Sequence, residues 1–112
     1  MFRKMQMVRN YKIDIPQKQL AEFCRRWNIG EFAFFGSVLR DDFNAGSDLD
    51  ILVTFAPDAD WGLLDHVRME EELADLLGLK INLLSKQAVE QSYNWLRRQE
   101  ILNTAEVIYV SR

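Results

Sequence analysis

The sequence predicts an α/β (α+β) fold, a small mixed β-sheet flanked by helices. Stretches with helical apolar spacing alternate with short β-rich runs, which places helices on a sheet. The chain has 112 residues and is 48% hydrophobic, about one domain's worth. Turn residues punctuate the segments, and no Pro/Gly-rich linker, repeat or low-complexity tract divides them. A single domain is therefore expected over residues 16–112, behind a basic N-terminal arm over residues 1–15.

The elements follow in order. Pro16 suits the first turn of a helix. Leu20, Phe23, Cys24 and Trp27 then recur at i, i+3, i+4 and i+7, one helical face. Gly30 is the expected left-handed stop. Residues 31–35 are short and aromatic and read as a strand, broken by Gly36-Ser37. Residues 38–47 form a polar connection with Asn44 and Gly46 as turn residues. Leu49–Phe55 reads as a second strand, and its Ile51-Leu52-Val53 run predicts burial on both faces. Pro57 ends it. A second helix is expected over Leu63–Leu77, with Leu63, Val67, Leu73, Ala74 and Leu77 inward and Gly78 as its stop. Residues 80–84 read as a third strand. Ser85 is a fitting N-cap for a long third helix through Leu102. Glu106–Val110 is expected to close the sheet as an edge strand.

Composition narrows the function classes. No apolar stretch approaches the roughly 18 residues of a membrane span, and no apolar core follows the basic N-terminus as a secretory signal requires. One cysteine, Cys24, allows no internal disulfide, and a cytoplasmic setting is the natural expectation. The net charge is −3, which disfavours a protein that wraps nucleic acid. Neither membrane nor direct nucleic-acid binding is expected. Charge is uneven: Arg3, Lys4, Arg9 and Lys12 give residues 1–13 a local +4, leaving −7 for the rest. Such an arm suits a phosphate or an acidic partner, or is simply a soluble terminus.

The chemistry concentrates in residues 36–50. A glycine after a strand lets the backbone approach a ligand closely. A serine beside it offers a hydroxyl and an N–H at a helix start, a fair place for phosphate. Ten residues separate Gly36-Ser37 from Asp48-Leu49-Asp50. Asp48 and Asp50 are two apart at a strand's start, so their carboxylates are expected side by side. Like charges that close need a cation or a raised pKa. Hard oxygen ligands suit Mg²⁺, which binds through one or two carboxylates plus substrate phosphates.

Gly-Ser, ten residues, then Asp-x-Asp leading into a buried strand resembles the minimal nucleotidyltransferases of the DNA polymerase β superfamily. The likeness extends to residues 24–29, 40–43, 47–53, 88–92 and 97–102, and spans about residues 16–110. It implies a nucleotidyltransferase fold and transfer of a nucleoside monophosphate, AMP from ATP, to an acceptor hydroxyl. Mapped onto this chain, Gly36, Ser37, Arg40 and Ser47 bind nucleotide. Asp48 and Asp50 are catalytic and hold one or two Mg²⁺ ions. The third carboxylate usual in the family falls on Asn82 in Lys80-Ile81-Asn82-Leu83-Leu84, a degenerate catalytic position. Asparagine offers a neutral carbonyl and no base. One unit charge at 4 Å is worth about 4 kcal/mol at an effective dielectric near 20. Weakened catalysis with retained Mg-nucleotide binding is therefore expected, unless Asp65 or Glu71 substitutes.

A chain of this size holds the family's core and little else, so a separate acceptor is expected. Small stand-alone members resemble antitoxins that adenylylate a nearby-encoded HEPN-domain toxin. The resemblance thus implies a protein adenylyltransferase acting on such a partner, in a homo- or hetero-oligomer. The alternative is a disabled nucleotide-binding module that neutralises its partner by occupancy. His66, with no second histidine, is expected to be structural or solvated. Cys24, Trp27 and Trp95 are expected to pack. Arg97 and Arg98 are adjacent on a helix, with triphosphate, partner or solvent as candidate contacts.

Overall fold

The computed structural model describes residues 15–40, 43–44 and 46–111; most of the basic arm lies outside them. Helix α1, Gln17–Arg26, buries Leu20, Ala21, Phe23 and Cys24 on its apolar face. It ends at Trp27, before the expected stop at Gly30. Asn28 makes the left-handed turn instead, with φ at 55°, a conformation asparagine tolerates. Gly30 falls inside strand β1, Ile29–Phe35, where the register against the next strand shifts between Ile29 and Glu31. A single 3₁₀ turn, Gly36–Leu39, follows. Strand β2 is Leu49–Phe55.

Helix α2 runs from Leu63 to Leu77 and stops at Gly78, whose φ is 72°. Its inward row is Met69, Leu73 and Leu77, so Leu73 and Leu77 face inward as expected while Met69 takes the place expected of Leu63 and Val67. Leu63 and Val67 are exposed. At about 100° per residue, positions six and two before Met69 fall on the far side of the helix.

Strand β3 is Ile81–Ser85. The Ser85 hydroxyl accepts the Ala88 N–H at 3.1 Å, capping the next helix as expected. That helix is not one but two: α3, Lys86–Glu90, and α4, Trp95–Thr104. The Ser92 hydroxyl accepts the Asn94 N–H at 3.2 Å. The Asn94 side chain in turn accepts the Arg97 N–H at 3.1 Å. Short polar side chains thus compete with the helix backbone and then restart it. Strand β4, Glu106–Val110, closes an edge as expected.

The sheet order is β3-β2-β1-β4. β1 pairs antiparallel with β2 and β4, while β2 and β3 are parallel. The parallel pair requires a crossover, which α2 supplies. On one face, α1 and α2 bury Phe23, Met69 and Leu73 against Phe32, Ile51 and Val53. On the other, Val89 of α3 and Ile101 of α4 cover Ala33, Phe35 and Leu52. The Ile51-Leu52-Val53 run is thus buried from both sides, as its composition predicts.

The Trp27 indole N–H donates to Glu72 at 2.6 Å, and the Trp61 N–H donates to the Trp27 carbonyl at 2.9 Å. Their rings meet edge to face at 4.9 Å, so Trp27 packs as expected. Trp95 does not: its side chain is 58% exposed. No helix among the described residues is long and apolar enough to cross a membrane.

Candidate active site

Strand register assembles the site. Phe35, the last residue of β1, lies opposite Asp50, and Asn82 of β3 lies on the other side of Asp50. Leu49 and Ile51, flanking Asp50, are fully buried on the α1–α2 face. The Asp50 carboxylate therefore emerges on the opposite face, the one covered by α3 and α4. There the Asn82 amide Nδ2 donates to Asp50 Oδ1 at 3.0 Å.

Gly36 stands against the other oxygen. Its φ is 76°, and a Cβ there would overlap Asp50 Oδ2. Both dihedral and space thus require glycine. Beside it, the Ser37 hydroxyl donates to the Asp48 carbonyl at 3.5 Å, and the Arg40 N–H donates to the Ser37 carbonyl at 2.9 Å. Asp48 is exposed and immediately precedes β2. Ser47 belongs to a turn: its hydroxyl accepts the Asn44 N–H at 3.2 Å, and Asn44 Oδ1 accepts the Gly46 N–H at 2.8 Å.

A cleft of about 610 Å³ opens over Asp50. Gly36 and Arg40 form one wall; Arg97 and Glu100 of α4 and Glu106 of β4 form the other. Of the sequence-predicted residues, Gly36, Arg40 and Asp50 line this cleft, and Asn82 reaches it by its bond to Asp50. The paired arginines divide. Arg97 faces the cleft, while Arg98 Nη1 donates to the carbonyls of Glu90 and Ser92. Glu100 and Glu106 escaped sequence reasoning. Nothing in their local pattern marks them, because only the folding of α4 and β4 beside β1 brings them to Asp50.

Neither Asp65 nor Glu71 lines the cleft over Asp50. Asp65 Oδ2 accepts the Gly62 N–H at 3.0 Å at the start of α2, a helix on the other side of the sheet. Glu71 is exposed. Among the described residues, no three His, Cys, Asp or Glu side chains gather to hold a metal. Asp50 lines the cleft and Asp48 does not; carboxylate oxygens of this kind suit a hard cation. His66 lies elsewhere, its Nε2 3.7 Å from Glu70 Oε2. Cys24 is buried in the core, and desolvation pushes its thiol up to about 12.

The nucleotidyltransferase domain family matches residues 17–108. The chain belongs to that family. It is 35% identical over 80 residues to a Methanocaldococcus jannaschii protein provisionally named a protein adenylyltransferase, covering 71% of this chain and 80% of that one. It is 36% identical over 69 residues to the protein adenylyltransferase MntA of Thermococcus cleftensis, covering 62% and 68%. Solved structures agree on the fold. One is a chain of a toxin–antitoxin crystal structure with AMP-PNP, with a TM-score of 0.65, 16% identity, and coverage of 88% of this chain and 76% of that one. Another comes from a tri-AMPylated Shewanella oneidensis HEPN toxin in complex with its MNT antitoxin, with a TM-score of 0.57, 17% identity, and coverage of 84% and 69%. The resemblance carried by residues 36–50 is thus borne out for family and fold.

Proposed function

We propose that this nucleotidyltransferase is a protein adenylyltransferase that moves AMP from ATP to a hydroxyl of a HEPN-domain toxin encoded nearby, acting as its antitoxin. The observation that carries the reading is the cleft over Asp50. It joins the carboxylates of Asp50, Glu100 and Glu106, a glycine backbone with no side chain, and the cations Arg40 and Arg97. Carboxylates hold a metal ion, open backbone admits phosphate, and arginines neutralise a polyphosphate tail. The adenylyltransferase names of the relatives and the HEPN complex of the structural neighbour support the choice of acceptor.

The residues divide the work. Gly36 and Ser37 present backbone and hydroxyl to the triphosphate, with Arg40 beside them and Ser47 shaping the adjoining turn. Asp48 and Asp50 would hold Mg²⁺, which when bound supplies charge neutralisation to the phosphates. Asn82 steadies Asp50 by its hydrogen bond but has no basic atom. The acceptor oxygen bonds the α-phosphorus as the bond to the β-phosphate breaks and pyrophosphate leaves, and the hydroxyl proton passes to an aspartate carboxylate or to water.

A second reading is favoured by that same Asn82–Asp50 bond. The amide already satisfies Oδ1, as a second cation otherwise would, so the chain would bind nucleotide and partner without efficient transfer. Intact-mass spectrometry separates the two. The neighbouring HEPN-domain protein is incubated with ATP, Mg²⁺ and the natural chain, Asp48→Ala or Asn82→Asp. An AMP adduct made by the natural chain and lost with Asp48→Ala is the expected result. An adduct from Asn82→Asp alone would establish the binding module, and none from any chain would overturn the acceptor.

A further inference from the structure

The α4 wall of the cleft carries charges that the fold itself does not use. Arg97, Glu100, Ile101 and Thr104 line the cleft, spaced at i, i+3, i+4 and i+7 as one helical face. Ile101 is buried in the cluster that holds Phe35, the residue opposite Asp50, so this face is fixed over the site. The Thr104 hydroxyl donates to the Glu100 carbonyl at 2.6 Å and is thereby engaged. Opposite charges three residues apart on a helix face commonly pair. Here no ion pair joins Arg97 to Glu100, and among the described residues neither charged group has another partner. Both are left for a ligand.

Transfer to a hydroxyl needs a group that takes its proton, and the β2–β3 side of the cleft is poorly placed to supply one. Asp50 Oδ1 already accepts the Asn82 amide, and Oδ2 stands against Gly36. Asp48 does not line the cleft, and an asparagine has no basic atom. Direction matters as well. In an in-line displacement the attacking and leaving oxygens lie on opposite sides of the phosphorus. With the phosphate tail along Gly36, Ser37 and Arg40, the acceptor oxygen arrives from the α4 wall. Glu106 shares that wall but has a partner in the fold; Glu100 is exposed at the cleft and its carboxylate has none among the described residues.

We infer that Glu100 is the general base that takes the acceptor's proton, an inference that rests on the function proposed above. The acceptor oxygen bonds the α-phosphorus while the bond to the bridging oxygen breaks, and pyrophosphate leaves with that electron pair. The hydroxyl proton moves to a Glu100 carboxylate oxygen and from there to water. Arg97, one turn before it, faces the charge that gathers on the α-phosphate oxygens.

The test compares the natural chain, Glu100→Ala and Glu100→Asp. Each is incubated with the neighbouring HEPN-domain protein and Mg-ATP, with and without added formate, and the adduct is followed by intact mass. Calorimetry gives the Mg-ATP affinity separately. Glu100→Ala should lower kcat by about 100-fold or more, with KM for the acceptor and Mg-ATP affinity within about twofold. Formate, a free carboxylate, should restore part of that kcat in proportion to its concentration and leave the natural chain unchanged. Glu100→Asp should retain more activity than Glu100→Ala. Transfer by Glu100→Ala at the natural rate, a parallel loss of Mg-ATP affinity, or a loss that neither formate nor Glu100→Asp repairs would each overturn the base while leaving the proposed function standing. No adduct from the natural chain would overturn the proposed function, and the base with it.

Discussion

Replacing Asn82 with aspartate would bring two carboxylates within hydrogen-bonding distance, with no donor between them. The natural amide donates to Asp50 Oδ1 at 3.0 Å and needs no cation to be satisfied. The Asn82→Asp chain should therefore be less stable in a chelator by about 1–3 kcal/mol. Mg²⁺ should restore that loss and raise its Tm more than it raises that of the natural chain. Thermal melts with EDTA and with Mg²⁺ measure this without any acceptor; equal Mg²⁺ responses would count against the pairing. Much of this residue-scale chemistry was legible beforehand. The Gly36 and Asp50 positions followed from a strand–glycine pattern and an Asp-x-Asp entry into an apolar run. What could not be read was that the two touch, since only the β1–β2 register sets Gly36 against Asp50.

Among elements, α2 does more than cross over between β2 and β3. Strand β3 is an edge, and edge strands carry unpaired N–H groups. Glu70 Oε2 accepts the Leu83 N–H at 3.0 Å, so α2 pins the strand one residue beyond Asn82. Glu70→Ala should cost about 1–2 kcal/mol, the penalty of an unsatisfied backbone donor. It should also speed hydrogen exchange at Leu83 well above that at Leu52. A Leu83 amide with unchanged protection would show that the strand holds its register unaided. The bounds of α2 were legible because Gly78 marks its end and apolar periodicity its body. Its inward row was legible at Leu73 and Leu77 only: counting Leu63 and Val67 as core ignored their rotation away from Met69. The long third helix failed for a related reason. Ser92 and Asn94 bond the backbone locally, and that competition outweighs the apolar continuity from Val89 to Leu102.

Across the whole molecule, two layers of helix cover a four-stranded sheet, and the thicker layer contains Cys24. Burial pushes its thiol up to about 12 from 9.0. Above pH 9 the unfolded chain gives up this proton while the folded chain keeps it. Stability from this group is thus complete below pH 9 and is lost as pH rises toward 12, at up to about 1.4 kcal/mol per pH unit. Denaturant melts at pH 8 and pH 10 should show a steeper alkaline loss for the natural chain than for Cys24→Ala. Parallel losses would mean that other groups set the alkaline limit. At this scale the fold class and the order of the strands along the chain were legible, because alternating periodicities dictate them. The second wall of the cleft was not, since it depends on β4 returning to pair with β1.

That return has a consequence for timing. The two walls of the cleft come from distant parts of the chain, Gly36 and Arg40 on one side and Arg97 and Glu106 on the other. During synthesis, a ribosome that has released the chain only through β3 has exposed every strand needed to pair Asp50 with Asn82. The pocket is still half open, and β1 still has a bare edge. β4 fills that edge and supplies Glu106 in the same step. On the function proposed above, nucleotide occupancy would report the completed fold, and a nascent or clipped chain lacking β4 is expected to be as empty of nucleotide as an unfolded one.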